Sequence, residues 1–273
     1  MVARARVRTT GVTMTTSASA TSRKVQLAGC DVHLLEAGSG PPLLVLHHSF
    51  GALGWHRVHE LLSERFSVTL PDLPGYATST MPDWARDPRD MAILVHQLIE
   101  LLGLRDVTLL GLGFGGFIAA EMATMSTGRL AGMVLVGAPG LKPESGEIMD
   151  QMLIDHVDYV KAGFRDEESF ERVFGAEIDP EIRNLWQFNR VMTARVCWKP
   201  YMFNRRLPHL LRQVELPTLL VWGEQDRIVP LSVARQYERL LPNARLEILP
   251  GAGHLVDFEE PERLAQLIEA RAR

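Results

Sequence analysis

Short apolar runs alternate along most of the chain with longer segments of helical periodicity. A continuous run such as 43–46 is typical of a strand buried on both faces of a parallel sheet. The chain therefore predicts an α/β fold, with a mostly parallel central sheet flanked by helices and joined by right-handed crossovers. The predicted strands are 25–27 and 32–35 (a hairpin turning at Gly29), 43–46, 66–70, 107–112, 131–136, 217–222 and 245–249, and the predicted helices outside 141–216 begin near 53, 87, 114, 232 and 259.

This alternation stops between residues 141 and 216, where no strand is evident and helical stretches are rich in Met, Phe and Trp. We interpret 141–212 as a helical lid inserted into a core formed by 23–140 and 213–273. Residues 1–22 are rich in Thr, Ser and Ala and predict a disordered head. Five basic residues give 1–24 a charge of +5, which leaves −9 for the remainder of a chain whose net charge is −4.

Composition excludes several classes of function. A net charge of −4 and a pI near 6.1 argue against partners such as nucleic acid or an anionic membrane. No apolar run is long enough to predict a membrane span. Two cysteines are too few for a disulfide framework, so we expect a cytoplasmic protein. No His or Cys spacing predicts a metal site, no cofactor is expected, and the oligomeric state stays open.

The segment 107–121 carries the clearest candidate chemistry. An apolar run passes into GLGFGG at 111–116 and then into a helix of small residues. Glycines allow a very tight turn between a strand and a helix, and such a turn lifts its tip residue clear of the sheet. The tip residue of this turn is Gly113.

Four further motifs also follow predicted strands. They are HHSFG at 47–51, PDLPGY at 71–76, GEQDRIVP at 223–230 and GAGH at 251–254. In this order, and together with the elbow at 111–116, they resemble the motifs of the α/β-hydrolase family, whose nucleophile elbow has the pattern G-x-S-x-G. The resemblance runs from about residue 25 to the C-terminus. It implies an α/β-hydrolase fold with a lid and a small organic substrate.

The resemblance also implies roles for individual residues. Asp226 would be the acid of a catalytic triad and His254 its base, with Glu224 as an alternative acid. An imidazole can take and return a proton near neutral pH, and a carboxylate behind it fixes its tautomer. The backbone N–H groups of Phe114 and Ser49 would form the oxyanion hole.

The sequence departs from the family pattern at two positions. Gly113 has no oxygen, so the covalent acyl-enzyme route through this position is closed. His48 replaces a family glycine and would either face the substrate or pack beneath the lid. Three replacements for the serine stay open: a water activated by His254, the Ser49 hydroxyl and the Cys197 thiol. The pair could also transfer protons alone, as in C–C cleavage, elimination or enolisation.

The leading hypothesis is therefore serine-independent hydrolysis, or a related carbonyl reaction, on a small organic molecule. The alternatives are a non-catalytic small-molecule binder and an engineered Ser-to-Gly variant of a serine hydrolase. If the remaining machinery is intact, a serine at position 113 is expected to create p-nitrophenyl ester hydrolysis. Aromatic lid residues over a sheet edge commonly line an apolar pocket. The candidate substrate contacts are His48, Phe50, Trp186, Trp198 and Tyr201.

Overall fold

A computed structural model of the protein describes residues 20–271. Eight strands form one sheet in the order β1-β2-β4-β3-β5-β6-β7-β8. The pairs β1–β2 and β2–β4 are antiparallel and every other neighbouring pair is parallel. The strands are β1 Thr21–Leu27, β2 Cys30–Ala37, β3 Pro42–Leu46, β4 Ser67–Pro71, β5 Val107–Leu112, β6 Leu130–Val136, β7 Thr218–Gly223 and β8 Ala244–Leu249.

Helices cover both faces of this sheet. The amphipathic α2 begins after Asp87, whose side chain accepts from the N–H groups of Arg89 and Asp90, and it packs against α3. On the other face α1 packs against α10. The helices are α1 Arg57–Ser63, α2 Pro88–Leu101, α3 Phe114–Ala123, α4 His156–Ala162, α5 Glu167–Phe174, α6 Pro180–Cys197, α7 Leu207–Leu210, α8 Leu231–Leu240, α9 Val256–Glu259 and α10 Pro261–Arg271, with a 3₁₀ turn at Leu211–Gln213.

The central strands are apolar because the sheet is covered on both faces. All six residues of β5 are buried, and so are all six of β7. Alternate residues of each strand enter one of two apolar cores, as Leu109 and Leu110 of β5 do. Continuous apolar runs were therefore the correct signal for parallel strands, and the predicted α/β fold with a mostly parallel sheet flanked by helices is confirmed.

Helices α4 to α7 and the 3₁₀ turn fill the stretch between β6 and β7, and no strand of the sheet comes from it. The interpretation of 141–212 as an inserted helical lid stays a prediction. The predicted disordered head, 1–22, lies outside the described residues except at its end. Thr21 and Ser22 are the first two residues of β1, paired with β2, so the sheet begins two residues earlier than the predicted core.

Two helix boundaries differ from prediction. Leu53 and Gly54 have φ of 55° and 83°, values outside the helical region, so α1 starts at Arg57 and not near 53. The last predicted helix begins at Pro261 and not near 259, because Glu259 ends the short α9 and Glu260 leaves helical geometry at φ −134°. Proline suits the first turn of a helix since it lacks the N–H group that would go unpaired there.

Candidate active site

The turn between β5 and α3 has the geometry of a nucleophile elbow. Gly113 adopts φ 49° and ψ −117°, a conformation that costs little for glycine and is strained for other residues. A Cβ atom on Gly115 would overlap the carbonyl group of Leu46, and one on Gly111 would overlap Gly116. The glycines of the motif thus let α3 lie directly against the end of β3. The tip of the turn faces two histidines.

The first histidine is His254, in the loop after β8. Its Nδ1 lies 2.8 Å from Oδ2 of Asp226, in the loop after β7. Oδ1 of Asp226 accepts from the N–H groups of Ile228 and Val229 at 2.8 Å each, which fixes the carboxylate. Nε2 of His254 is 3.1 Å from the point that a Cβ atom would occupy at Gly113. The alternative acid, Glu224, accepts instead from the N–H of Gly251.

The second histidine is His48, which the sequence placed either facing the substrate or packed beneath the lid. Its Nε2 lies 2.9 Å from Oδ1 of Asp257, and both side chains are buried. The ring stacks on Phe50, with centroids 5.1 Å apart. Nδ1 has no hydrogen-bond partner within residues 20–271 and lies 2.6 Å from the Cβ point of Gly113. The His48 ring thus borders the space where the elbow side chain would stand.

This position of His48 changes the expectation for a serine at 113. A Cβ atom 2.6 Å from a ring nitrogen is closer than packed atoms allow, so His48 would have to move. Asp257 holds the far side of the ring. Gly113→Ser alone is therefore not expected to create an esterase, because the two positions are coupled through their packing.

Asp257 is a residue that sequence reasoning missed. It lies on α9, three residues after His254, and no motif in the sequence marked it. Burial by itself raises the pKa of the Asp257 carboxyl, but the charge of His48 and its hydrogen bond outweigh burial and hold the pKa below its usual value. The carboxyl group is therefore ionised at neutral pH and can stabilise a positive charge on His48.

Two backbone N–H groups also lie at this site. Phe114 is the first residue of α3, so its N–H has no acceptor within the helix, and Ser49 follows β3. Within the described part of the chain neither N–H donates a hydrogen bond. The Ser49 hydroxyl donates to Oε1 of Gln151 at 3.3 Å. Cys197 is buried, and burial raises the pKa of its thiol to about 12, so it remains protonated and a poor nucleophile.

A small cavity of about 10 Å³ lies between the elbow and the helical segment, which is about the space that one water needs. His48, Ser49, Phe50, Phe114 and His254, all of them candidate site residues, line it. An additional lining residue, Tyr159 of α4, was not foreseen because nothing in its local sequence separates it from core aromatics. Burial raises the pKa of the Tyr159 phenol and keeps it protonated. Ile148, Met202, Ile228, Val229 and Pro139 complete the wall.

The other three predicted substrate contacts do not border this cavity. Trp186 is buried and packs against Phe50, one layer behind it. Trp198 is 57% exposed and lines a separate cleft of about 550 Å³. The Tyr201 hydroxyl donates to the carbonyl of Met149 and accepts from the N–H of Gln151, so it shapes a loop. Aromatic composition alone could not distinguish these positions from Phe50. The larger cleft contains neither His254 nor Gly113 and does not belong to this site.

His47 is excluded from proton transfer by its contacts. Its Nδ1–H donates to the carbonyl of His48 at 2.7 Å and its Nε2 accepts from the N–H of Leu73 at 3.0 Å. Burial lowers the pKa of His47 to about 4. Both nitrogens are thus used, and the ring is a neutral structural link between β3 and the turn after β4.

The depressed pKa of His47 predicts a loss of stability in acid. The unfolded chain takes up this proton near pH 6.5 and the folded protein only near pH 4, so stability is full above pH 6.5 and falls toward pH 4. The loss for this group reaches about 3 kcal/mol. We expect His47→Gln, which can also donate and accept, to show a shallower fall in unfolding free energy between pH 6.5 and 4, measured by denaturant titration. Equal slopes in both proteins would contradict this assignment.

A tight strand–turn–helix elbow and a His–Asp pair at the carboxyl edge of a parallel sheet define the class of α/β-hydrolases. A model of the alpha/beta hydrolase family matches residues 44–267, and the chain belongs to this family. No helix in 20–271 is long and apolar enough to cross a membrane.

Three relatives illustrate the similarity. A 2-hydroxy-6-oxo-6-(2'-aminophenyl)hexa-2,4-dienoic acid hydrolase of Metapseudomonas resinovorans is 26% identical, over 89% of this chain and 88% of its own. A 2-hydroxy-6-oxononadienedioate/2-hydroxy-6-oxononatrienedioate hydrolase of Paraburkholderia phymatum is 27% identical, over 94% and 97%. The crystal structure of a membrane phospholipase A, a bacterial virulence factor, superposes with a TM-score of 0.78 at 26% identity, covering 93% of this chain and 86% of that chain.

Proposed function

We propose that the protein hydrolyses a small carbonyl compound without an enzyme nucleophile, by a water that His254 activates. The observation that carries this proposal is the position of Nε2 of His254. This atom lies 3.1 Å from the Cβ point of Gly113, with Asp226 bonded to Nδ1 on the other side of the ring. A water in the space left by the missing side chain would be within reach of a positioned base.

The steps follow from this arrangement. His254 takes a proton from the water while the water oxygen bonds to the substrate carbonyl carbon, and Asp226 stabilises the imidazolium that forms. The carbonyl oxygen gains the negative charge and accepts from the N–H groups of Phe114 and Ser49, the former at the positive end of α3. The leaving group then departs with a proton. No covalent intermediate on the chain is needed.

The names of two relatives suggest the substrate class. Both are hydrolases of 2-hydroxy-6-oxo unsaturated acids, which are small molecules with a ketone carbonyl. We propose a substrate of similar size that carries a ketone or ester carbonyl. Because the closed cavity holds about one water, such a substrate requires that the side chains closing it, Phe50 and Met202 among them, move aside.

The His48 ring lies so close to Gly113 that the packing of this site favours glycine at position 113. A serine introduced into the present arrangement would press against His48. This supports a natural serine-independent site over an engineered Ser-to-Gly variant of an ordinary serine hydrolase.

A comparison of turnover in matched variants tests the proposal. The substrates are p-nitrophenyl acetate, ethyl acetate and a 2-hydroxy-6-oxo dienoate of the kind named for these relatives. His254→Ala is expected to lower kcat/KM by about 10²-fold or more, the usual contribution of a positioned base. His33→Gln is the control, since His33 also pairs with an aspartate, Asp72, and neither residue lines the cavity. Turnover equal in His254→Ala and the wild-type protein would refute the proposal, and binding without turnover would favour the receptor hypothesis.

A further inference from the structure

Two histidine rings, each backed by a buried aspartate, face one point at the elbow. Nδ1 of His48 and Nε2 of His254 lie 2.6 and 3.1 Å from the Cβ point of Gly113, and the ring centroids are 5.5 Å apart. Asp257 bonds the far nitrogen of His48, as Asp226 bonds the far nitrogen of His254. The site thus holds two His–Asp pairs, of which the proposed hydrolysis uses one.

The free nitrogen of His48 distinguishes it from a structural histidine. His47, its neighbour, uses both nitrogens in hydrogen bonds to the backbone. His48 is 3% exposed and has only its Nε2 bonded within residues 20–271, while its Nδ1 lies toward the Cβ point of Gly113. A buried polar atom without a partner is costly, so such an atom commonly marks a place where a ligand or water binds.

We propose that His48, positioned by Asp257, is a second acid–base residue of the site and supplies the proton that the leaving group takes. This inference rests on the proposed hydrolysis, in which His254 is the base. Asp257 touches neither water nor substrate and acts only by orienting His48 and stabilising its positive form.

The protons and bonds balance in this scheme. The water gives one proton to Nε2 of His254 and its oxygen bonds to the carbonyl carbon. When the intermediate collapses, the bond from that carbon to the leaving oxygen breaks, and this oxygen takes the proton from Nδ1 of His48. The proton on His254 then passes to His48 through the next water. The net reaction of an ester is addition of one water to give an acid and an alcohol.

The charged groups around His48 favour one proton shared between the rings of His48 and His254. Its ring interacts with Asp257, His47 and His56 and lies beside His254, and the protonated Tyr159 phenol lines the same cavity. Burial lowers the pKa of both His47 and His56 to about 4, so neither carries a charge at neutral pH. Each ring has its own carboxylate, Asp257 or Asp226, so either ring can carry a positive charge, and repulsion between two positive rings this close opposes charging both.

The leaving group provides the first test. A p-nitrophenolate departs without a proton, whereas an alkoxide needs one, so a proton donor matters mainly for alkyl esters. We expect His48→Gln and Asp257→Asn to lower kcat/KM for ethyl acetate by about 10²-fold and for p-nitrophenyl acetate by less than about 10-fold. His254→Ala should reduce both, and His33→Gln neither. Equal losses on both esters in His48→Gln would show a packing role and overturn the proposal.

The second test needs no turnover and separates this inference from the proposed function. In ¹⁵N-histidine-labelled protein at neutral pH, we expect both ring nitrogens of His48 to carry a proton, with a low-field Nε2 proton that is lost in Asp257→Asn. His254→Ala should increase the fraction of His48 that is protonated at Nδ1, because a competing positive charge is removed. A His48 ring that is neutral at this pH would overturn the proposal even in an active enzyme. If His48 is protonated at Nδ1 but no ester is turned over in a His254-dependent way, hydrolysis is refuted, and with it the donor role.

Discussion

Gly113→Ser combined with His48→Gly is expected to hydrolyse p-nitrophenyl acetate about 10³-fold faster than the wild-type protein, whereas Gly113→Ser alone is not. A triad serine contributes up to about 10⁶-fold to turnover, and the His254–Asp226 pair already lies beside position 113. The single variant fails because the new Cβ atom would lie 2.6 Å from Nδ1 of His48. Removing the ring frees the space and restores the glycine that the family pattern has at position 48.

This experiment must not leave the buried Asp257 carboxylate without a partner. Without His48 its carboxylate would be left unpaired, which costs about 3–5 kcal/mol. We therefore place both substitutions in an Asp257→Asn background, and His48→Gly/Asp257→Asn with Gly113 retained is the matched control. Serine at φ 49° also adds strain of about 1–3 kcal/mol, so thermal unfolding is measured for every variant.

The test depends on whether the reaction passes through a covalent intermediate on residue 113. The triple variant should show a burst of p-nitrophenolate equal to the enzyme concentration and an acyl group on residue 113 by mass spectrometry, since serine forms a covalent intermediate. The control should show neither. A folded triple variant that shows no burst would mean that the elbow is not aligned with His254 and Asp226, and the proposed site would lose its main support.

Much of this site could be predicted from the sequence because its parts lie at strand ends. Parallel strands end at one edge of a sheet, so motifs that follow β3, β5, β7 and β8 meet there regardless of their separation in the chain. Apolar runs located those strands to within a few residues. His254, Asp226 and Gly113 were brought together by the structure for this reason.

Contacts that depend on side-chain packing could not be predicted in this way. His48 and Asp257 are 209 positions apart, and Asp257 lies on a helix of only four residues that no periodicity marks. Trp198 and Trp186 lie in the same aromatic-rich segment, but Trp198 follows the last residue of α6 and lines a different cleft. Leu53 has a positive φ, so α1 begins later than predicted, and a leucine in the sequence gives no indication of that backbone conformation.

The close contact between the elbow helix and β3 leads to the second large effect. Gly115→Ala should destabilise the fold by about 3 kcal/mol or more, because its Cβ atom would overlap the backbone carbonyl of Leu46, which cannot rotate away. For a domain of this size we expect the melting temperature to fall by about 6 °C or more. Gly128→Ala is the matched control, since its nearest contact is 3.8 Å away at the flexible side chain of Ser126.

The same substitution should also impair the site beyond its effect on stability. The N–H of Gly115 donates to the carbonyl of His47 at 3.0 Å, so α3 and the segment that carries His48 and Ser49 are held at a fixed distance. Pushing them apart separates the N–H groups of Phe114 and Ser49, and a displacement of about 1 Å can cost 10²-fold in rate. Hydrolysis measured well below the melting temperature should therefore fall in Gly115→Ala and remain unchanged in Gly128→Ala. If Gly115→Ala had normal stability, the contact between α3 and β3 would be looser than the structure indicates. This contact could then not hold the N–H groups of Phe114 and Ser49 at a fixed separation.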